Sequence, residues 1–195
     1  MRYTAEHKQQ TRRRILEAAC RRFRAEGYDG LGIDGLAKAA GVTNGAFYGH
    51  FASKADAFRE VVDQGMAELR DGVEQAQQEG GAWLARFAEF YFSDFKVACS
   101  DNVCALPGFA PEVARAAPAT RAEFTRGLTD VAAAMADGFD GSDPAERTGR
   151  AWAALAMMAG GVTLARAVDD RDLARTLLDS LAPRLAALQH PGGSE

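Results

Sequence analysis

The chain is poor in the residues that build stapled or metal-centred folds. Three cysteines, an odd number with no Cys-His ligand spacing, argue against a disulfide framework and a structural zinc site. Three histidines, at 7, 50 and 190, leave few bases for acid-base catalysis, and a Gly-rich phosphate loop, a metal box and a nucleophile elbow are all missing. A small helical enzyme is the competing class, but the expectation is no enzyme and no cofactor. No apolar run approaches the roughly 20 residues that cross a bilayer, and the polar, charged start does not read as a signal peptide. A cytoplasmic protein without a membrane partner is therefore expected. Convincing strand runs, internal repeats and low-complexity linkers are also lacking. Gly and Pro punctuate the chain at 80–81, 107–111, 118, 138–144 and 191–193, and between these stops the spacing is helical.

What is present is an uneven charge. The formal net charge is −4 over 195 residues, which by itself disfavours a nucleic-acid binder. Residues 1–60, however, hold 11 Lys and Arg against 7 Asp and Glu, a net of +4, while residues 61–195 hold 12 against 20, a net of −8. A basic head on an acidic body presents one end to phosphates and keeps the other away from them. The run Arg12-Arg13-Arg14, with Lys8, Arg21, Arg22 and Arg24 around it, lies on the first expected helix. Most of this face reads as solvated, with Arg12 and Arg13 the ones to consider as backbone-phosphate contacts.

The most informative stretch is Gly41 to Phe51, with Lys54 just beyond. Ile33, Leu36, Ala37 and Ala40 recur at helical spacing and bury one face of a short helix. Gly41 supplies the positive φ that ends it, and Val42 pins the corner. Thr43 or Asn44 can cap a second helix, whose Phe47 packs back on the first. On the outer side Thr43, Tyr48, His50 and Lys54 can all donate to phosphate oxygens, which positions a protein on a duplex without reading it. Base readout falls to Asn44, to Ala46 against a thymine methyl, and to Tyr48. Gly45 and Gly49 thin that set, Gly49 being expected mid-way along the recognition helix.

These residues carry a family resemblance. From about Arg12 to Phe58, the positions Ile15-Leu16-x-Ala18-Ala19, Phe23, Gly27-Tyr28, Ile33-x-x-Leu36-Ala37-x-x-Ala40-Gly41-Val42, Gly45-Ala46-Phe47-Tyr48-x-His50-Phe51 and Ser53-Lys54 resemble the N-terminal domain of the tetracycline-repressor (TetR/AcrR) family of transcriptional regulators. The resemblance covers about a quarter of the chain. It implies an all-α protein of about nine helices: a three-helix helix-turn-helix DNA-binding domain, here residues 1–53, and a larger helical domain, residues 54–195, for effector binding and dimerisation. It further implies a homodimer on double-stranded operator DNA, acting as a repressor released by a small molecule. A long fourth helix would connect the two parts, and its shift would alter the spacing of the two recognition helices. Three positions depart from the pattern: Gly32 replaces a usual Thr or Ser cap, Gly35 lies inside the second helix, and Ala55 replaces a common Glu. Each interior Gly costs about 1 kcal/mol against Ala.

The helices are expected at 8–26, 33–40, 44–50, 54–79, 82–98, 104–116, 119–138, 144–168 and 171–188. In the C-terminal part, Phe87, Phe90, Tyr91 and Phe95 follow at helical spacing, and Phe109, Phe124, Leu128, Met135, Trp152 and Met157 or Met158 can face them. Such a stripe is equally the pattern of a plain core. With the resemblance, it implies a pocket for a flat or apolar effector. Ala151 to Ala167 is rich in small residues, and Leu173, Leu177, Leu178, Leu181, Leu185 and Leu188 follow. Two such helices make half of a four-helix dimer bundle, or else an internal hairpin.

Cys99 and Cys104 add an alternative. The segment from Cys99 to Glu112 resembles the start of the sixth helix in a TetR subgroup with thiol-responsive members, so Cys104 is a candidate sensor of electrophiles or oxidants and Cys99 its resolving partner. A thiolate at a helix N-terminus is stabilised by the helix dipole. Cys20 reads as a buried core residue. A non-specific architectural DNA binder would require more positive charge than the head carries.

Overall fold

The computed structural model describes residues 5–96 and 105–190, apart from the side chains of 94–96 and 105. Nine helices and no strand occur among the described residues: α1 Ala5–Glu26, α2 Ile33–Ala40, α3 Asn44–Tyr48, α4 Lys54–Gln78, α5 Trp83–Lys96, α6 Ala105–Val113, α7 Pro118–Asp137, α8 Pro144–Ala167 and α9 Arg171–Gln189. The all-α expectation holds, and most boundaries lie within two or three residues of it. Cys99 and Cys104, with the side chain of Phe95, fall outside the described residues.

The chain forms two compact units, one of residues 1–64 and 108–124, the other of residues 65–107 and 125–195. In the first, the apolar stripe of α1 (Ile15, Ala18, Ala19 and Phe23) is buried, as are Leu36, Ala37 and Ala40 of α2 and Phe47 of α3. Phe58 from the start of α4 meets Phe23 edge-on, ring centroids 5.1 Å apart, and Phe109 in the same manner at 5.8 Å. Such pairs add about 1 kcal/mol each beyond simple area burial.

In the second unit α8 buries a column of small residues, Ala151, Ala154, Gly161 and Ala165, together with Leu155, Met158 and Val162. Gly161 marks a close approach, since a Cβ there would stand 2.5 Å from Leu181 Cδ1 of α9. Ala and Gly on one helix thus admit the leucines of the other. Gln189, buried at the end of α9, accepts from the Leu84 N–H at 3.1 Å and donates to the Gly81 carbonyl at 2.7 Å. One buried amide thereby ties the last helix to the start of α5, with both ends of the amide satisfied.

Candidate nucleic-acid interface

The turn between α2 and α3 follows from its residues. Gly41 adopts φ 65°, ψ 38°, a left-handed conformation that costs a residue with a Cβ about 1–2 kcal/mol. Its N–H reaches the Lys38 carbonyl at 3.1 Å and the Val42 N–H reaches the Ala37 carbonyl at 2.9 Å, so the last carbonyls of α2 are satisfied within the backbone. Of the two candidate caps for α3, Thr43 is the one used: its Oγ1 accepts from the Ala46 N–H at 3.1 Å. That contact is worth about 1 kcal/mol and leaves the hydroxyl proton to donate outward. Gly32, as its sequence position implies, starts α2 without a side-chain cap.

The recognition helix is shorter than expected. α3 ends at Tyr48, and Gly49, expected mid-helix, is its C-cap with φ −68° and ψ −12°. The N–H groups of His50 and Phe51 both return to the Phe47 carbonyl, at 2.9 and 3.0 Å, because Phe47 and Phe51 are both drawn into the core. Position 49 is exposed and lies at the end of the helix.

Outside that core, Thr43, Asn44, Gly45 and Tyr48 are exposed and Ala46 and His50 half-buried. Tyr48 is 55% exposed, with its ring edge-on to Phe47 at 5.8 Å. The amide of exposed Asn44 donates to the Asp34 carboxylate of α2. The pKa of His50 is lowered from its ordinary value of 6.5, chiefly by burial and then by the charges of Lys8 and Arg12. These surroundings favour the neutral imidazole.

Three cations that sequence alone assigns to phosphate or solvent are used inside the head. Arg12 forks onto Glu60 of α4, its Nε 3.1 Å from Oε1 and its Nη2 on Oε2. Its Nη1 donates to the His50 carbonyl at 2.5 Å, and the guanidinium lies 4.3 Å from the centre of the Phe51 ring. Arg14 donates to the Ala40 carbonyl at 2.7 Å. Two arginines of α1 therefore each hold the carbonyl end of one helix of the hairpin, where a cation is favoured by the helix dipole. Arg13, between them, points to Glu17 on the surface. The Lys54 ammonium donates to the carbonyls of Tyr28 and Leu31 at 2.9 and 3.1 Å and sits 4.0 Å from the Tyr28 ring centre. One of its three N–H groups remains for an outside partner. None of these long-range contacts carries a local sequence signal; only the density of arginine on α1 hints at them.

The residues expected to line an effector pocket are distributed over both units. Phe109 and Phe124 belong to the first unit, where Phe109 is fully buried against Phe58. In the second unit Phe87 and Tyr91 are buried with ring centroids 6.2 Å apart, joined by Phe92, which the sequence reading omitted. Leu128 and Met157 are half-buried. Phe90 is 64% and Trp152 40% exposed, so both face outward.

Residues 15–61 match the family model described as Bacterial regulatory proteins, tetR family. The HTH-type transcriptional regulator AcrR of Shigella flexneri is 45% identical over 60 residues, 31% of this chain and 28% of that protein. The chain thus matches under a third of that relative's length. Over nearly the whole chain the fold is shared with solved structures: a TetR-family transcriptional regulator from Cytophaga hutchinsonii, at TM-score 0.76 and 18% identity, covers 96% of this chain and 98% of its own. The transcriptional regulator FadR from Bacillus subtilis, in complex with stearoyl-CoA, superposes at TM-score 0.68 and 19% identity, covering 94% and 99%.

Proposed function

We propose, on the premise that the chain belongs to the TetR family of bacterial regulatory proteins, that it is a sequence-specific DNA-binding transcriptional regulator, a homodimeric repressor of the cytoplasm released from its operator by a small apolar or aromatic effector. The observation that carries this is the exposed face of Thr43, Asn44, Gly45, Ala46, Tyr48 and His50 on a hairpin whose core and carbonyl ends are fixed by Phe47, Arg12 and Arg14. Rigid backing and a protruding short helix are what a major groove accepts. Lys54 belongs to the same surface through its remaining N–H. Residues 1–53 act as the DNA-binding part and 54–195 as the effector and dimerisation part.

Dimerisation is assigned to α8 and α9. On α8, Trp152, Ala156, Gly160 and Thr163 follow along the side away from the buried column, and residues 151–165 hold no charge. On α9, Leu173 and Leu177 follow at a spacing of four. Trp152, Leu164 and Leu173 remain 40%, 58% and 50% exposed in the single chain, an apolar surface that a second copy covers. The effector is assigned to the aromatic side of α5, around Phe87 and Tyr91, where flat rings favour a flat or apolar ligand. Its action on the operator runs through α4, by changing the spacing of the two recognition helices.

The experiment is selection of duplexes from a random pool by the purified protein. A dimeric regulator enriches an inverted repeat whose half-sites lie about one helical turn apart, or a multiple of it. A pool that stays random would refute the proposal.

A further inference from the structure

An open depression of about 320 Å³ lies between the first turns of α1 and the end of the recognition helix, lined by Ala5, Lys8, Gln9, Arg12, Gly49 and His50. No acidic residue is among these. Arg12 forms one wall, but three of its five N–H groups are spent on Glu60 and on the His50 carbonyl. Its charge contributes to the field while its fork is held in place. The donors left to meet a ligand are the ammonium of Lys8, the amide of Gln9, the imidazole of His50 and the two remaining N–H groups of Arg12. Lys8 and Gln9 are exposed, and Gly49 at the rim has no side chain to close the mouth.

We infer that this depression is a seat for a backbone phosphate of DNA, with Lys8 as its principal cation and Gln9 and His50 as neutral donors. The inference rests on the DNA-binding reading above and extends it from the hairpin to α1. The seat adjoins the end of α3 through Gly49 and His50, the two residues that follow Tyr48. One unbalanced charge, that of Lys8, beside neutral donors and a guanidinium whose charge is matched by Glu60, suits a phosphodiester carrying one negative charge. Because Lys8 contacts only backbone, it sets the register of the protein on the duplex and reads no base.

The test is the salt dependence of binding to a random-sequence duplex, which reports counterions released by phosphate contacts. Full-length protein is compared with Lys8→Gln, Lys8→Arg and Arg13→Gln, the last removing an exposed charge of the same helix that points to Glu17 instead. Lys8→Gln should lower the slope of log K against log salt by about 0.9 per head and weaken cognate and random DNA by the same factor. Lys8→Arg should restore the slope, and Arg13→Gln should leave it at the wild-type value. An unchanged slope in Lys8→Gln, with wild-type protein binding the duplex, overturns the seat alone. Equal losses in Lys8→Gln and Arg13→Gln also overturn it, since they report general charge. A wild-type protein that binds no duplex at all refutes the DNA-binding reading itself.

Discussion

Arg12 and Glu60, 48 residues apart, join α1 to α4 through a two-point fork whose remaining arm holds the carbonyl of His50. The end of the recognition helix and the start of the connecting helix thus share one guanidinium. A fork of this type is set by planar geometry, which an ammonium does not reproduce.

Replacing either partner therefore disturbs more than a surface ion pair. The two side chains are 38% and 33% exposed, so solvent screening reduces the pair to about 1 kcal/mol. A double-mutant cycle of Arg12→Lys and Glu60→Gln, followed by urea unfolding of the full chain, should give a coupling of that size. Arg12→Lys should also weaken operator binding without changing its salt slope, because Arg12 holds a carbonyl and not a phosphate.

Lys54 gives a different signature. With two N–H groups on the Tyr28 and Leu31 carbonyls, Lys54→Gln should lower stability by about 1–2 kcal/mol and reduce DNA affinity for all sequences together. Tyr48→Phe, on an exposed residue, should lower affinity while leaving the melting temperature within error. Thermal denaturation beside a binding titration separates the two.

His50 makes binding and stability respond to pH in opposite directions. Its pKa lies below 6.5 in the free protein, through burial and then the charges of Lys8 and Arg12. The unfolded chain binds the proton more readily, so the stability contributed by neutral His50 is complete above about pH 6.5 and is lost as pH falls through the lower folded value. A nearby phosphate favours the imidazolium, so DNA affinity should rise over the same descent. His50→Gln should flatten both profiles between about pH 7 and 5, as measured by melting temperature and by affinity at constant salt.

The apolar face of α8 and α9 predicts an oligomeric state. Leu173→Glu places a charge where a second copy is proposed to pack, and sedimentation should report monomers for this variant and dimers for the wild type. Operator affinity should fall by at least about a hundredfold, since one head alone loses the second half-site. Circular dichroism should be unchanged, because Leu173 is 50% exposed in the single chain.

The helices and the hairpin were legible in the sequence because their signals are local. Apolar spacing placed α1, α2, α4 and α8 closely, Gly41 announced the turn, and the small residues of α8 announced a close helix contact. The end of α3 is not legible in the sequence, since the pull of Phe51 into the core is tertiary and no propensity rule contains it. The arginine run was legible only as charge. That Arg12 and Arg14 hold the carbonyl ends of α3 and α2, while Arg13 faces water, depends on residues 26 to 48 positions away. No local signal assigns the aromatic residues either: Phe109 and Phe87 belong to different compact units.

The most direct measurement is the affinity of the purified full-length protein for a selected duplex and for a random one of equal length at the same salt concentration. A sequence-specific dimer should hold the selected duplex at least about a thousandfold more tightly, with one dimer bound per inverted repeat. Equal affinity for both, or no binding to either, would contradict the assignment of the Thr43 to His50 face as a DNA-reading surface.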